Sequence, residues 1–152
     1  MAETPHIMLV EARFYAHIAD ELARGAIAAL DAAGASYERF AVPGAFEIPA
    51  AIRFAVEAAT RGARRERFDG FVALGCIVRG ETDHYEFICR ATMEGLMHVA
   101  LQFGLALGTG LLTCDTLVQA EARSGSDGHN KGAEAAAAAL LQIGAARRLG
   151  AV

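Results

Sequence analysis

The sequence predicts an α/β fold, a three-layer α/β/α sandwich around a four-stranded parallel sheet. Short apolar runs without alternation recur along the 152 residues, as is typical of strands buried on both faces. Longer segments with helical periodicity separate these runs. Repeated strand–helix units require parallel strands joined by right-handed crossovers. The length suits one domain, and we expect a single domain over residues 1–152.

The first half of the chain carries two strand–helix units. Ile7–Val10 is a continuous apolar run and predicts the first strand. Ala16–Ala33 follows with apolar residues on one helical face. Tyr37–Val42 predicts the second strand, and a helix with Pro49 in its first turn reaches about Thr60.

The second half repeats the pattern. Phe71–Val78 predicts the third strand and His84–Phe103 its helix, and Leu105–Thr113 holds a fourth strand, interrupted by Gly108 and Gly110.

Two further helices complete the predicted fold. Asp115 can cap a short helix that reaches about Arg123. The Gly/Ser/Asp loop Gly125–Gly128 then leads into a final helix, Lys131–Arg148.

Composition excludes several function classes. Fourteen basic against 18 acidic residues give a net charge of −4, which argues against a nucleic-acid partner. No apolar run is long enough to span a bilayer, and the segment Met1–His6 lacks the features of a secretory signal. The three cysteines, Cys76, Cys89 and Cys114, form no C-x-x-C motif, so we expect a reducing, cytoplasmic location.

The loop after the third strand carries the most informative residues. Ligands of open parallel sheets bind beyond the carboxyl ends of the strands. Thr82 and the amides after it can face an anion at a helix N-terminus. His84 lies in the first helical turn, where the dipole favours a neutral imidazole able to transfer protons. Alternatively, Asp83 only caps the helix and His84 is a surface residue. His84–Glu86 matches H-x-E of zinc deaminases, but their P-C-x-x-C is missing, so we expect no metal.

Four other residues have both a functional and a structural interpretation. Glu47 can accept hydrogen bonds from sugar-like hydroxyls or complement the following helix dipole. Phe14 can stack on a planar heterocycle or pack in the core. Arg123 and Lys131 suit a phosphate or are solvated helix-end cations. The chain has neither G-x-G-x-x-G nor G-x-x-x-x-G-K-[ST], so nothing predicts a nucleotide cofactor.

Four segments together resemble the lumazine synthase family: Glu11–Phe14, Val42–Pro49, Gly75–Tyr85 and Asn130–Ala136. V-P-G-A-F-E-I-P and R-G-E-T-x-H are specific to that family, and the resemblance covers nearly the whole chain. It implies a flavodoxin-like fold without metal or organic cofactor. The implied reaction condenses 5-amino-6-(D-ribitylamino)uracil with 3,4-dihydroxy-2-butanone 4-phosphate to 6,7-dimethyl-8-ribityllumazine, phosphate and water, a step of riboflavin biosynthesis.

The resemblance also implies which residues hold the ribitylaminouracil: Phe14, Ala45, Phe46, Glu47, Ile77 and Val78. In this assignment Phe14 stacks on the pyrimidine ring. Glu47, with the two residues before it, holds the ribityl chain, and the two strand residues contact the ring through their backbone.

A second group of residues would handle the phosphate and the proton transfers. The resemblance implies that Glu81 and Thr82 meet the phosphate largely through backbone amides and that His84 is the general acid and base. Arg123 would clamp the phosphate, and Lys131 would fix the ring and the developing charge.

In the family the last two residues reach the site from a neighbouring subunit, so the resemblance implies a homo-oligomer, a pentamer or a pentamer-based assembly. The chain departs from the family's commoner pattern at Tyr15, where many members carry Asn, and at Thr109, where many carry a Phe that covers the ring. Thr109 cannot stack, and only its backbone contacts would remain. The loop Ser126–His129 also differs from the commoner T-K-A-G.

Two alternatives to an enzyme share this scaffold. One is a non-catalytic flavin- or lumazine-binding protein, which would need neither the proton shuttle His84 nor the phosphate clamp Arg123. The other is a flavodoxin-like FMN electron carrier, but Glu11–Phe14 lacks the Ser/Thr-rich phosphate cradle of such proteins. The residues therefore favour the enzyme.

Overall fold

The computed structural model describes residues 3–152, and its elements follow the predicted order. The strands are β1 (His6–Ala12), β2 (Ser36–Val42), β3 (Gly70–Val78) and β4 (Leu107–Cys114). The helices are α1 (Ala16–Ala32), α2 (Ile48–Thr60), α3 (His84–Phe103), α4 (Leu117–Ala122) and α5 (Lys131–Leu149), and a 3₁₀ turn, Ala45–Glu47, precedes α2. Met1 and Ala2, which begin the segment expected to carry no signal, lie outside the described residues.

The four strands form one parallel sheet in the order β2-β1-β3-β4. This order equals the first four strands of the flavodoxin-like arrangement, and it confirms the predicted α/β class. β1 and β2 end level, as do β3 and β4, because Ala12 pairs with Val42 and Val78 pairs with Cys114, and β3 extends past its last pairing with β1. The loops that follow the strands therefore meet at one edge of the sheet.

Two apolar cores, one on each face of the sheet, make the predicted three layers. On one face α1 and α5 pack against the strands, with Leu9, Leu22 and Ile143 buried among them. On the other face α2 and α3 bury Ile52 and Leu96. Each such side chain contributes roughly 1.5–3 kcal/mol when fully buried. None of the helices in the described part of the chain combines the length and apolarity needed to cross a bilayer.

The glycines of β4 do not interrupt the strand, so that expectation was wrong. The strand runs continuously from Leu107 to Cys114. Its glycines instead allow α5 to lie close, because a Cβ on Gly108 would overlap the Ala135 carbonyl. A Cβ on Gly132 would likewise overlap the Leu22 carbonyl of α1. The backbone of α5 therefore lies in direct contact with the backbones of β4 and α1.

The expected cap of α4 was also wrong. Thr116, not Asp115, is the N-cap, and its hydroxyl accepts from the Gln119 amide at 3.2 Å. The Gln119 side chain accepts in return from the Thr116 amide at 3.3 Å, which makes a capping box. The carboxylate of Asp115 is bonded to Arg79 instead.

Candidate active site

A cavity of about 470 Å³ opens beyond the carboxyl ends of β1 and β3. It brings together eight of the residues predicted from sequence: Phe14, Ala45, Phe46, Glu47, Ile77, Val78, Thr82 and His84. They come from three of the four segments that carry the resemblance, and the parallel strands place them around one space.

The two phenylalanines of this cavity are not core residues. Phe14 is 75% exposed and Phe46 61% exposed. Phe14 meets the neighbouring Tyr15 ring edge-on, with the centroids 5.0 Å apart. Both rings therefore offer apolar surface to a ligand, which is the less common of the two interpretations open for Phe14.

The turn after β2 places Glu47 at the cavity. Gly44 is extended, and its carbonyl accepts from the Glu47 amide at 3.2 Å, closing the 3₁₀ turn. Glu47 is then the N-cap residue of α2, but its side chain makes no capping hydrogen bond. The half-buried carboxylate is free to accept hydrogen bonds from a ligand.

His84 is the first residue of α3 and lines the same cavity. Its backbone amide donates to the Thr82 hydroxyl at 3.3 Å. Asp83 occupies the N-cap position without a side-chain capping bond, and the His84 side chain is exposed at the mouth of the cavity. Glu81 is exposed in the same turn, but its side chain does not line the cavity.

The cavity wall also contains residues that sequence reasoning did not select. Tyr15, Cys76 and Tyr85 all line it. Burial, with a smaller contribution from Cys114, raises the pKa of the Cys76 thiol to about 12. Cys76 therefore remains a neutral thiol near pH 7. The sequence signal for Cys76 as a lining residue is its position in β3 directly before Ile77.

Arg123 and Lys131 do not reach this cavity. They line a second one, of about 510 Å³, together with Thr109 of β4. The two cavities have no lining residue in common. The Lys131 ammonium lies 3.3 Å from the Glu134 carboxylate, and one guanidinium nitrogen of Arg123 donates to the Gln119 carbonyl at 3.0 Å.

Asn130, unassigned as a site residue, organises the loop between these two cations. Its side-chain nitrogen donates to the carbonyls of Glu21 at 2.8 Å and of Ser124 at 3.0 Å. Its side-chain oxygen accepts from the Ala133 amide and caps α5. An Asn directly before the predicted final helix is the sequence signal that could have identified it.

Arg79 connects the loops that follow β3 and β4. Its Nε donates to Asp115 at 2.7 Å, and its guanidinium lies 4.4 Å from the centre of the Tyr85 ring. The hydrogen bond to Asp115 raises the pKa of Arg79, with a further contribution from Glu86. The turn that carries His84 is thus tied to the strand end beside the second cavity.

Metal-ligating atoms gather only at the opposite edge of the sheet, as far as residues 3–152 show. His6, Glu38 and Glu66 have ligand atoms within 4.8 Å of one another. The Arg64 guanidinium already pairs with Glu38, so an ion-pair network describes this cluster better than a metal centre. No residue of the candidate active site belongs to it.

Comparison with known proteins supports the family that the sequence resembles. The family model of 6,7-dimethyl-8-ribityllumazine synthase matches residues 4–147. A 6,7-dimethyl-8-ribityllumazine synthase of Bartonella tribocorum is 45% identical over 150 residues, 99% of this chain and 95% of the relative. 6,7-Dimethyl-8-ribityllumazine synthase 1 of Rhizobium meliloti is 49% identical over 146 residues, 96% of this chain and 94% of the relative. The chain belongs to the 6,7-dimethyl-8-ribityllumazine synthase family.

Proposed function

We propose that this chain condenses 5-amino-6-(D-ribitylamino)uracil with 3,4-dihydroxy-2-butanone 4-phosphate to 6,7-dimethyl-8-ribityllumazine, releasing phosphate and water. Family membership supports this reaction. The observation that carries it is the single cavity that holds an exposed ring, Phe14, a free carboxylate, Glu47, and an imidazole, His84. Such a set suits a planar heterocycle with a polyol chain whose reaction proceeds by proton transfers.

The residues of the first cavity bind the ribitylaminouracil in this proposal. Phe14 stacks on the pyrimidine ring, and Glu47, with Ala45 and Phe46, holds the ribityl chain. The backbone of Ile77 and Val78 contacts the ring edge. These two residues end β3, and there the edge of the sheet can offer backbone groups to a ligand.

His84 acts as the general acid and base of the proposed mechanism. Imine formation between the amine and the ketone, phosphate elimination and ring closure each require a proton to move. His84 follows closely in sequence after Glu81 and Thr82, whose backbone amides we assign to the phosphate in the turn before α3. Positioned proton transfer is typically worth about 10²–10⁴-fold in rate.

Arg123 and Lys131 complete the site from a neighbouring subunit in this proposal, with the backbone of Thr109 beside the ring. Two observations support an oligomer. The cations and His84 lie in different cavities of one chain. Helix α3 also exposes large apolar side chains, among them Phe87 and Met97, as an interface would. We propose a pentamer or a pentamer-based assembly, located in the cytoplasm.

The test is a direct assay with both substrates, following formation of the fluorescent lumazine. The wild-type protein should form the lumazine. Arg123→Ala should lose most of this rate, because it no longer holds the phosphate group of the second substrate. Arg148→Ala, an exposed cation at the far end of α5, is the matched control. Tight lumazine binding without turnover by the wild type would contradict the enzyme and identify a binding protein.

A further inference from the structure

The carboxyl end of β1 carries a buried carboxylate that the proposed mechanism does not use. Glu11 is only 2% exposed, yet it is an acidic residue in a sheet. Burying a carboxylate is unfavourable unless cations and hydrogen bonds compensate it. Arg39 of β2 donates through Nε at 2.7 Å and through a terminal nitrogen at 2.9 Å, and Arg13 donates at 3.0 Å.

Arg13 connects this carboxylate to the rest of the turn between β1 and α1. Its guanidinium bonds Glu11 on one side and Asp20 of α1 on the other. Its backbone amide donates to the Val42 carbonyl at the end of β2, over 3.1 Å. The Arg13 side chain thus connects the end of β1 to α1, and the Arg13 backbone amide connects the same turn to β2. The hydrogen bond to Asp20 is the main cause that raises the pKa of Arg13.

Phe14 follows Arg13 directly and has few contacts of its own. Its ring is 75% exposed and touches the Tyr15 ring only edge-on. Tyr15 is the N-cap residue of α1, but it makes no side-chain capping bond. The direction of the Phe14 ring therefore depends on the backbone before it, which the ion pairs around the buried Glu11 hold.

We propose that Glu11 is a positioning residue that acts through Arg13 to hold the Phe14 ring over the pyrimidine, a role that rests on the proposed stacking of Phe14. Glu11 is not itself a lining residue of the substrate cavity, and its hydrogen bonds go to Arg13 and Arg39. Replacing it with Gln keeps the volume of the side chain. It removes the charge that two guanidinium groups share, so the turn loses its internal anchor.

A double-mutant cycle tests this role with four proteins: wild type, Glu11→Gln, Phe14→Ala and the double variant. The measurements are KM for each substrate, kcat, and the Kd of the lumazine product from its fluorescence. Glu11→Gln should raise KM for the pyrimidine and the product Kd about three- to tenfold, a part of what stacking contributes. KM for the butanone phosphate should stay within about twofold, because the phosphate loop is held by other residues.

The decisive comparison is made in the Phe14→Ala background. If Glu11 acts through Phe14, adding Glu11→Gln there should change the pyrimidine KM by less than about twofold. An equal effect in both backgrounds, or an equal rise in both KM values, would show a general structural role and overturn the proposal. Phe14→Ala without any effect would remove the stacking role and this inference together. A normal loss in Phe14→Ala with none in Glu11→Gln would overturn this inference alone.

Two more variants keep the test interpretable. Glu21→Gln is the control: it removes an exposed carboxylate of α1 that pairs with Arg24. It should leave both KM values unchanged. Arg39→Gln leaves the bond between Glu11 and Arg13 in place, and its side chain is half exposed. It should therefore give a smaller effect in the same direction, again only when Phe14 is present, even if Glu11→Gln fails to fold.

Discussion

The backbone amide of Lys131 donates to the carbonyl of Arg123 over 2.8 Å. This bond closes a loop that begins and ends beside the second cavity, and an antiparallel bridge between Ser124 and Asn130 supports it. Two cations separated by seven residues of loop are thereby held side by side. The backbone positions that carry the two cations are thereby fixed before a ligand binds, which lowers the ordering cost of binding.

Asn130→Ala should release this loop. The substitution removes the cap of α5 and the bonds to the carbonyls of Glu21 and Ser124. We expect a loss of about 2 kcal/mol in the free energy of unfolding and a rise in KM for the phosphorylated substrate. Asn130→Ser keeps a capping oxygen but no amide donor. It should be less destabilised yet show the same rise in KM, and a normal KM in Asn130→Ser would contradict the role of the amide.

His84→Ala and Arg123→Ala should complement each other in mixed oligomers. Each variant alone is expected to be inactive, since each lacks one half of the site. With equal random mixing in a ring, a half times a half, or about one quarter, of the interfaces combine an intact His84 with an intact Arg123. Co-expression followed by the lumazine assay measures this recovery, and mixing the assembled variants without exchange is the control. Co-assembled oligomers that stay inactive would place both residues in one subunit.

Gly132→Ala should be strongly destabilising, whereas Gly144→Ala in the same helix should not. The added Cβ meets the Leu22 carbonyl at the first position and nothing within 4 Å at the second. We expect a loss of about 3 kcal/mol for Gly132→Ala from overpacking against backbone. Gly144→Ala should gain about 0.5–1 kcal/mol from helix propensity. Urea unfolding of both variants checks this, and similar values would refute the close approach of α5 to α1.

Glu38→Gln should reduce stability near neutral pH and make little difference in acid. Hydrogen bonds from His6 and then from Arg64 lower the pKa of Glu38 below its ordinary 4.5. A carboxylate with a lowered folded pKa stabilises the fold above its unfolded pKa, and it loses that contribution as the pH falls through the folded value. We expect a difference of about 1 kcal/mol at pH 6–7. In urea titrations it should shrink below about pH 4.5, and a constant difference from pH 6 to 3 would contradict the ion pairing.

Sequence reasoning reached the fold and the first cavity because both depend on local patterns. Apolar runs and helical periodicity identify strands and helices, and parallel pairing then brings the ends of the strands to one edge. Phe14, Glu47 and His84 each follow a predicted strand, so their convergence could be inferred. The cap of α4 was assigned to Asp115 because both Asp115 and Thr116 suit an N-cap. The local T-x-x-Q pattern of Thr116 and Gln119, which forms the capping box, could have decided between them, and the structure adds that Asp115 is bonded to Arg79 instead.

The sequence by itself determined the α/β class, the order of the elements and the family to which the chain belongs. Tertiary structure alone decided that Arg123 and Lys131 line a cavity separate from that of His84. It also decided that Glu11, which follows the predicted first strand Ile7–Val10, is a buried residue of that strand between two guanidinium groups. The physical reason is distance: periodicity reports which face of an element is apolar, whereas the pairing of charges depends on residues far apart in the chain that only folding brings together.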